Sequence, residues 1–276
     1  MKPFFLALVI LSSYIGTAQD STERTKPQLK VSLNYNSGLN FFGRTDSLKS
    51  TGVFPMAEFW ASPNFYINAA PIFVNNAVQK MEYAGTVATI GYQYMNEHWL
   101  TNVNVVKPFY KGDAKLVQSA LKAQGNVSVS HLNKVANLTL GGDIKLSDKV
   151  DFGVTGGIDH IIRIQNKDNS VLVFDPSFYA YAGTQQFSRT YTRKQNNGLP
   201  LPGNSSQQQV TETTTQLNIL AYEFSVPVIF AKNKVMVIAT PSYIMPQNLI
   251  TVPNRPDLSE RGENMLYTTL SVKYTF

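Results

Sequence analysis

From Leu29 to the last residue the chain alternates apolar and polar positions in short runs, with turn-forming residues between them. The first run sets Leu29, Val31, Leu33 and Tyr35 against Lys30, Ser32, Asn34 and Asn36. The same period recurs over 53–61, 65–73, 86–94, 99–109, 135–146, 151–164, 217–231, 235–245 and 266–276. A period of two sends successive side chains to opposite faces of a strand, so these runs predict antiparallel strands with one apolar and one polar face. Ser62-Pro63-Asn64, Asn96-Glu97-His98, Ser147-Asp148-Lys149 and Lys232-Asn233-Lys234 predict tight turns. Asp113 to Ala123 breaks the period and predicts a short loop helix, with Leu116, Ala120 and Leu121 on one stripe. Gln165 to Thr215 is looser, so it reads as one long exposed region holding a protruding hairpin. The alternative is a further strand pair in which 171–181 and 187–193 both cross. No helix heptad, nucleotide-binding glycine pattern or linker interrupts 19–276, which predicts one domain.

Composition narrows what such a sheet can be. Charged residues make up 15% of the chain, against about a quarter in a soluble globular protein, and Asn, Gln, Ser, Thr and Tyr take their place. With 43% hydrophobic residues, disorder is excluded as the overall state. The apolar runs also fall short of the roughly 20 residues a membrane helix needs. The chain has no cysteine, which removes disulfides, thiolate metal sites, a cysteine nucleophile and the lipid-bearing cysteine of a lipoprotein.

The N-terminus reads as a targeting segment. Met1 and Lys2 precede the apolar run Phe4 to Leu11, and Gly16 and Ala18 are small residues at the positions a signal peptidase reads. A secretory signal spanning 1–18 and cleaved after Ala18 follows.

An alternating antiparallel sheet with one apolar face builds either a soluble sandwich or barrel, with that face inside, or a membrane barrel with it outside. Three features favour lipid outside. The polar face collects Lys30, Glu58, Asp143, Lys145, Asp151, Asp159, Arg163, Glu223 and Lys273, mixed in sign and able to pair across a narrow lumen. Short turns alternate with long loops, as in barrels with short periplasmic turns and longer external loops. Aromatic residues such as Phe73, Trp99 and Phe109 stand near strand ends, where interfacial girdles belong.

The last run carries a family resemblance. Leu266, Thr268, Leu270, Val272, Tyr274 and Phe276 alternate and end on a C-terminal aromatic, which resembles the terminal β-signal of Gram-negative outer-membrane β-barrel proteins. Thr268 departs from an all-hydrophobic face. The resemblance implies an all-β antiparallel transmembrane barrel in the outer membrane, with Leu270, Val272, Tyr274 and Phe276 read by the barrel-assembly machinery. The count is ten strands if 165–215 is external and twelve if it crosses. Either predicts a narrow or closed lumen, since interiors near eight strands are filled by side chains and open channels need about 16 to 18.

Candidate chemistry is sparse. His98 lies in a predicted turn beside Trp99, and His131 in Ser128-Val129-Ser130-His131-Leu132 has no recognisable triad around it. His160 follows Asp159, but neighbours on a strand face opposite ways. Asp168 and Asp175, with Asn166 and Asn169, have oxygen ligands for a hard cation but no EF-hand spacing. Arg189, Arg193 and Lys194, interleaved with Phe187 and Tyr191, suit anionic lipopolysaccharide or a surface glycan better than nucleic acid in a secreted barrel. The expectation is a non-enzymatic barrel without cofactor or metal, in contact with outer-membrane lipid and lipopolysaccharide, with a structural or loop-mediated binding role. A narrow transport channel is the alternative and an outer-membrane lipid hydrolase the third reading.

Overall fold

The computed structural model describes residues 26–45, 48–78, 80–111, 121–147, 150–194, 207–251 and 259–276. The signal segment and most of the predicted 113–123 helix lie outside them. Seventeen strands follow in chain order: β1 Gln28–Asn36, β2 Asn40–Phe41, β3 Arg44–Thr45, β4 Thr51–Trp60, β5 Phe65–Asn75, β6 Glu82–Met95, β7 Trp99–Tyr110, β8 Ala123–His131 and β9 Asn137–Leu146. After these come β10 Val150–Asp159, β11 Ile162–Gln165, β12 Val171–Phe174, β13 Ser177–Lys194, β14 Gln207–Ser225, β15 Val228–Lys232, β16 Val235–Pro246 and β17 Met265–Thr275.

Twelve of them close a barrel: β1, β4 to β10, β13, β14, β16 and β17, each antiparallel to its neighbours, with β17 pairing β1 to join the two ends of the chain. Three more continue wall strands past short interruptions. β11 prolongs β10 beyond His160 and Ile161, β12 leads into β13 across Asp175 and Pro176, and β15 prolongs β14 beyond Val226 and Pro227. The interruptions lie side by side. Backbone bonds cross them from His160 N to the Pro176 carbonyl, from Asp175 N to Pro227 and from Val226 N to Pro241.

The face assignment follows the alternation. Leu33 is 55% exposed and Leu140 65%, on an outer surface shared with Ile67, Ile90, Val103 and Phe152. Water does not tolerate an apolar surface of that extent on a monomer. Hydrocarbon does, and a closed ladder leaves no backbone group unpaired in it. The fold is therefore an all-β antiparallel barrel of the transmembrane type, apolar outside and largely polar inside.

The strand count is the larger of the two expected, but it is reached differently. β8 is a crossing strand, and Ala123 opens it rather than closing a helix; its outward face offers little more than Val127 and Val129. Residues 171–181 and 187–193 belong to a single ascent through β12 and β13, and the return is β14. A protruding hairpin is present, yet it does not start at Gln165. Pairing of β13 to β10 ends at Gly183 and pairing of β14 to β16 ends at Ala221, so beyond these points β13 and β14 pair only with each other, as a two-stranded ribbon. The 166–170 turn sits at the end of the barrel that carries the termini. β9 ends and β10 begins at the opposite end, here the far mouth, so the predicted 147–149 turn, of which 148 and 149 lie outside the described residues, is not one of the termini-side connections.

Candidate functional site: an occluded lumen

The segment between β1 and β4 turns inward. Gly38 N bonds Asn36 Oδ1 at 2.8 Å, Asn40 Nδ2 bonds the Gly38 carbonyl at 3.1 Å, and Gly43 N bonds Asn40 Oδ1 at 3.1 Å. These bonds shape a hairpin, β2–β3, whose two turn residues Phe42 and Gly43 both have positive φ, 52° and 72°. Positive φ at both positions is the requirement of a type I′ turn, and it is costly for a phenylalanine. The ring's packing offsets that cost: Phe42 lies 4.9 Å from Tyr181 and 4.4 Å from Phe41, within a buried cluster that includes Leu220, Ile244 and Tyr267. On the other side of the mouth Leu39 packs on Phe54, Ile72 and Val106. The inward segment thus spans the far mouth, touching β4 to β7 through Leu39 and β13, β14, β16 and β17 through Phe42.

Arg44 fixes it there. Its guanidinium donates to the carbonyls of Phe42 (3.1 Å), Leu220 (2.9 Å) and Gln247 (3.0 Å), and its Nε lies 3.1 Å from Glu260 Oε2. Burial lowers this guanidinium to about 10, so it is charged at neutral pH. Thr45 N bonds the Arg261 carbonyl at 3.0 Å, so the plug is joined to the last loop as well as to the wall.

Below the plug the lumen holds polar clusters. Glu58 Oε1 receives Trp60 Nε1 at 2.8 Å and lies 3.6 Å from Lys273 Nζ, while Lys30 Nζ sits 4.7 Å from the Trp60 ring centroid. An amide chain runs one way across the wall: Gln124 donates to Asn126, Asn126 to Asn104, Asn104 to Asn102 and Asn102 to the Tyr66 hydroxyl. Such head-to-tail bonds polarise one another and hold their side chains in place. Glu223 receives the hydroxyls of Tyr267 (2.6 Å) and Tyr181 (3.1 Å). Asp159 takes Asn137 Nδ2 at 2.6 Å on Oδ2, faces Asp175, and each of these two aspartates keeps an Oδ1 without a hydrogen-bond partner.

Most of the predicted lumen residues are therefore inside: Lys30, Glu58, Asp143, Lys145, Asp151, Asp159, Glu223 and Lys273. They do not form one site. Lys145 pairs with Asp143 under the Phe41 and Phe42 rings, and Asp151 receives Thr184 Oγ1 at 2.8 Å near the rim. Arg163 departs from the expectation: it is exposed on β11, which pairs with β12 alone and runs past the start of β9. Leu220 shares the sequence period of Tyr222 and Phe224, which places it on the apolar outer face, but it is buried because the β13–β14 register slips between Tyr181 and Ala182 and turns it inward.

The histidines stay apart. His98 is exposed in its turn, His160 is exposed at a strand interruption, and His131 faces outward 4.7 Å from the Trp99 ring. Ser130, its neighbour, is buried and bonded to Thr139 at 2.8 Å. Asp168 and Asp175 do not meet. Asp168 receives Ser170 and Lys232 Nζ, which hold its carboxyl well below the usual carboxylate range, whereas Asp175 faces Asp159. Among the described residues no group of three or more His, Cys, Asp or Glu is placed to hold a metal ion. Leu270, Val272, Tyr274 and Phe276 all face outward, with the last two rings in edge contact at 4.9 Å. The backbone places Arg189, Arg193 and Lys194 on the ribbon, opposite Glu212, Gln208 and Gln207.

The plug was not foreseen. Its one signal in the sequence is Asn40-Phe41-Phe42-Gly43, an aromatic pair beside turn residues between the first two alternating runs.

Together the ladder, the apolar exterior and the filled interior define a transmembrane β-barrel with an occluded lumen. No protein-family model matches the chain, and no curated protein matches it. Solved structures with a similar course include an outer-membrane channel from Pseudomonas putida F1, 10% identical over 94% of this chain and 100% of that one, with a TM-score of 0.47. LpxR from Salmonella typhimurium is 9% identical over 90% of this chain and 100% of that one, with a TM-score of 0.45. A bacterial polysaccharide outer membrane secretin is 10% identical over 92% and 99%, with a TM-score of 0.40.

Proposed function

We propose that this chain is an integral outer-membrane β-barrel that closes its own lumen and acts at the cell surface, in a structural or loop-mediated binding role. In that setting the termini and the turns beside them face the periplasm, and the plugged mouth and the β13–β14 ribbon face outward. The observation that carries the reading is the inward β2–β3 hairpin, anchored by Arg44 to three carbonyls and Glu260. A porin-like role in free solute passage needs that mouth open.

The ribbon supplies the surface element, and its Arg189, Arg193 and Lys194 suit an anionic partner such as lipopolysaccharide. The outward row Leu270 to Phe276 is the segment the assembly machinery would read, and residues 1–18 the signal that delivers the chain. A gated narrow channel is the second reading, favoured by the charged cluster of Lys30, Glu58 and Lys273 below the plug. Lipid hydrolysis receives little support, since Ser130 and His131 point to opposite faces.

The test is conductance in planar bilayers of protein whose heat-modifiable gel migration shows it folded. The wild type is expected to pass almost no current, and a variant with 38–49 replaced by a short Gly-Ser link a steady one. A wild type with stable open-pore conductance overturns the proposal.

A further inference from the structure

The outer wall carries one feature that a smooth lipid-facing surface does not need. Ala57, Ala69, Ala88 and Lys107 are successive register partners across β4, β5, β6 and β7. Beside them runs a bulkier row, Phe59, Ile67, Ile90 and Val105, and on the other side stand Pro71, Thr86 and Phe109. Three alanines beside a taller row leave a shallow groove, an open depression of about 550 Å³ lined by the alanines, Lys107, Leu29 and the Phe59 to Val105 row. At 4.8 Å between strands the row is roughly 14 Å long, the reach of an extended acyl chain.

The row also has a direction. Partner-to-partner pairing that starts at Gln28, beside the termini, passes through Trp60, Tyr66 and Gly91 and reaches Gly183, where the β10–β13 pairing ends at the far mouth. Any line straight across the strands therefore climbs, and in the alanine row Lys107 is the upper end.

Lys107 is exposed, with Nζ 6.0 Å from the Phe109 ring centroid, and its outward neighbours Ala88, Val105 and Phe109 are uncharged. A bare cation on a lipid face is destabilising, most at the midplane and less near the interface. An anionic headgroup beside it removes that cost. We infer that this groove binds one anionic, phosphate-bearing lipid of the outer leaflet, its acyl chain lying along Ala88, Ala69 and Ala57 and its net negative headgroup on Lys107. The inference rests on the outer-membrane reading of the fold.

The test is native mass spectrometry of the folded barrel released from detergent, with dimyristoyl phosphatidylglycerol or dimyristoyl phosphatidylcholine added. The wild type is expected to retain one phosphatidylglycerol about fivefold better than phosphatidylcholine, the factor one lysine supplies beside an anionic surface. Lys107→Gln should abolish the preference while leaving weak retention of both lipids. Ala69→Leu and Ala88→Leu, which fill the groove, should lose retention of both. Equal retention of the two lipids by the wild type, or wild-type behaviour in all three variants, overturns the inference. Failure of the membrane reading shows separately, as absence of a heat-modifiable band and of insertion into vesicles.

Discussion

Arg44 and Glu260 stand 216 residues apart in the chain, with Nε and Oε2 3.1 Å apart and both side chains almost fully buried. Glu260 also accepts Ile250 N at 2.9 Å, so one carboxylate holds the last loop's own fold and the plug together. Truncating one partner of a buried ion pair costs about 3–5 kcal/mol because the other charge is stranded. Glu260→Ala is expected to lower the urea midpoint of the folded barrel and to add flickering conductance in bilayers, with Arg44→Met and Glu260→Met together recovering part of the stability.

Lumen filling depends on close approach at Gly91. A Cβ there would sit 2.3 Å from Tyr66 Cζ, the ring that ends the amide chain through Asn102. Gly91→Ala should cost about 1–3 kcal/mol, the usual penalty of overpacking. Gly125→Ala, where a Cβ meets nothing within 4 Å, serves as control and should leave the urea midpoint unchanged or slightly raised.

Asp159 and Asp175 face each other with an unpartnered oxygen apiece. Two buried carboxyls in contact do not both ionise without cost, so they hold a proton between them until alkaline pH removes it, whereas an amide keeps its donor throughout. An unsatisfied buried polar group costs about 1–3 kcal/mol. Asp175→Asn is therefore expected to stabilise the barrel at alkaline pH by an amount in that range, read from chemical unfolding in detergent. A loss of stability would show that the carboxylate pair is needed as it stands.

At the termini end Asp168 ties the 166–170 turn to Lys232 at 2.9 Å. Its carboxyl is held below the usual carboxylate range, first by Ser170 Oγ and then by Lys232. A depressed folded value means the tie is fully present above the ordinary carboxylate pKa of about 3.9 and is lost only as pH falls below it. Amide exchange at Ser170, corrected for its intrinsic rate, should stay protected from neutrality to mildly acid pH. Asp168→Ala, which removes the acceptor, should lose that protection throughout.

The wall was legible in the sequence wherever strands carry large apolar residues on one face, as in Leu29 to Tyr35 and Trp99 to Phe109. β8 was not, because Gly125, Val127 and Val129 make a faint stripe. Missing it inverted the ends assigned to the next connections, so the 147–149 turn was put with the periplasmic ones and 165–215 outside. Leaving out the β12–β13 ascent restored the parity, and the later turns fell on their proper side. The polar lumen was also legible, since Glu58, Asp159 and Glu223 keep to their period. Leu220 was not, since a register slip leaves no mark in a two-residue period. The plug was hidden for another reason: a loop that folds into a barrel owes its position to partners such as Leu220 and Glu260, which lie far along the chain.

The interruptions of β10, β12 and β14 form a row, bridged by bonds that end on the carbonyls of Pro176, Pro227 and Pro241. A proline has no N–H to return, so along this row the ladder carries single stitches where double ones are the rule. The wall consequently has a fault line away from the place where its first and last strands join. During unfolding, neighbouring strands would part first at this row, while the joint between the chain's two ends stayed shut.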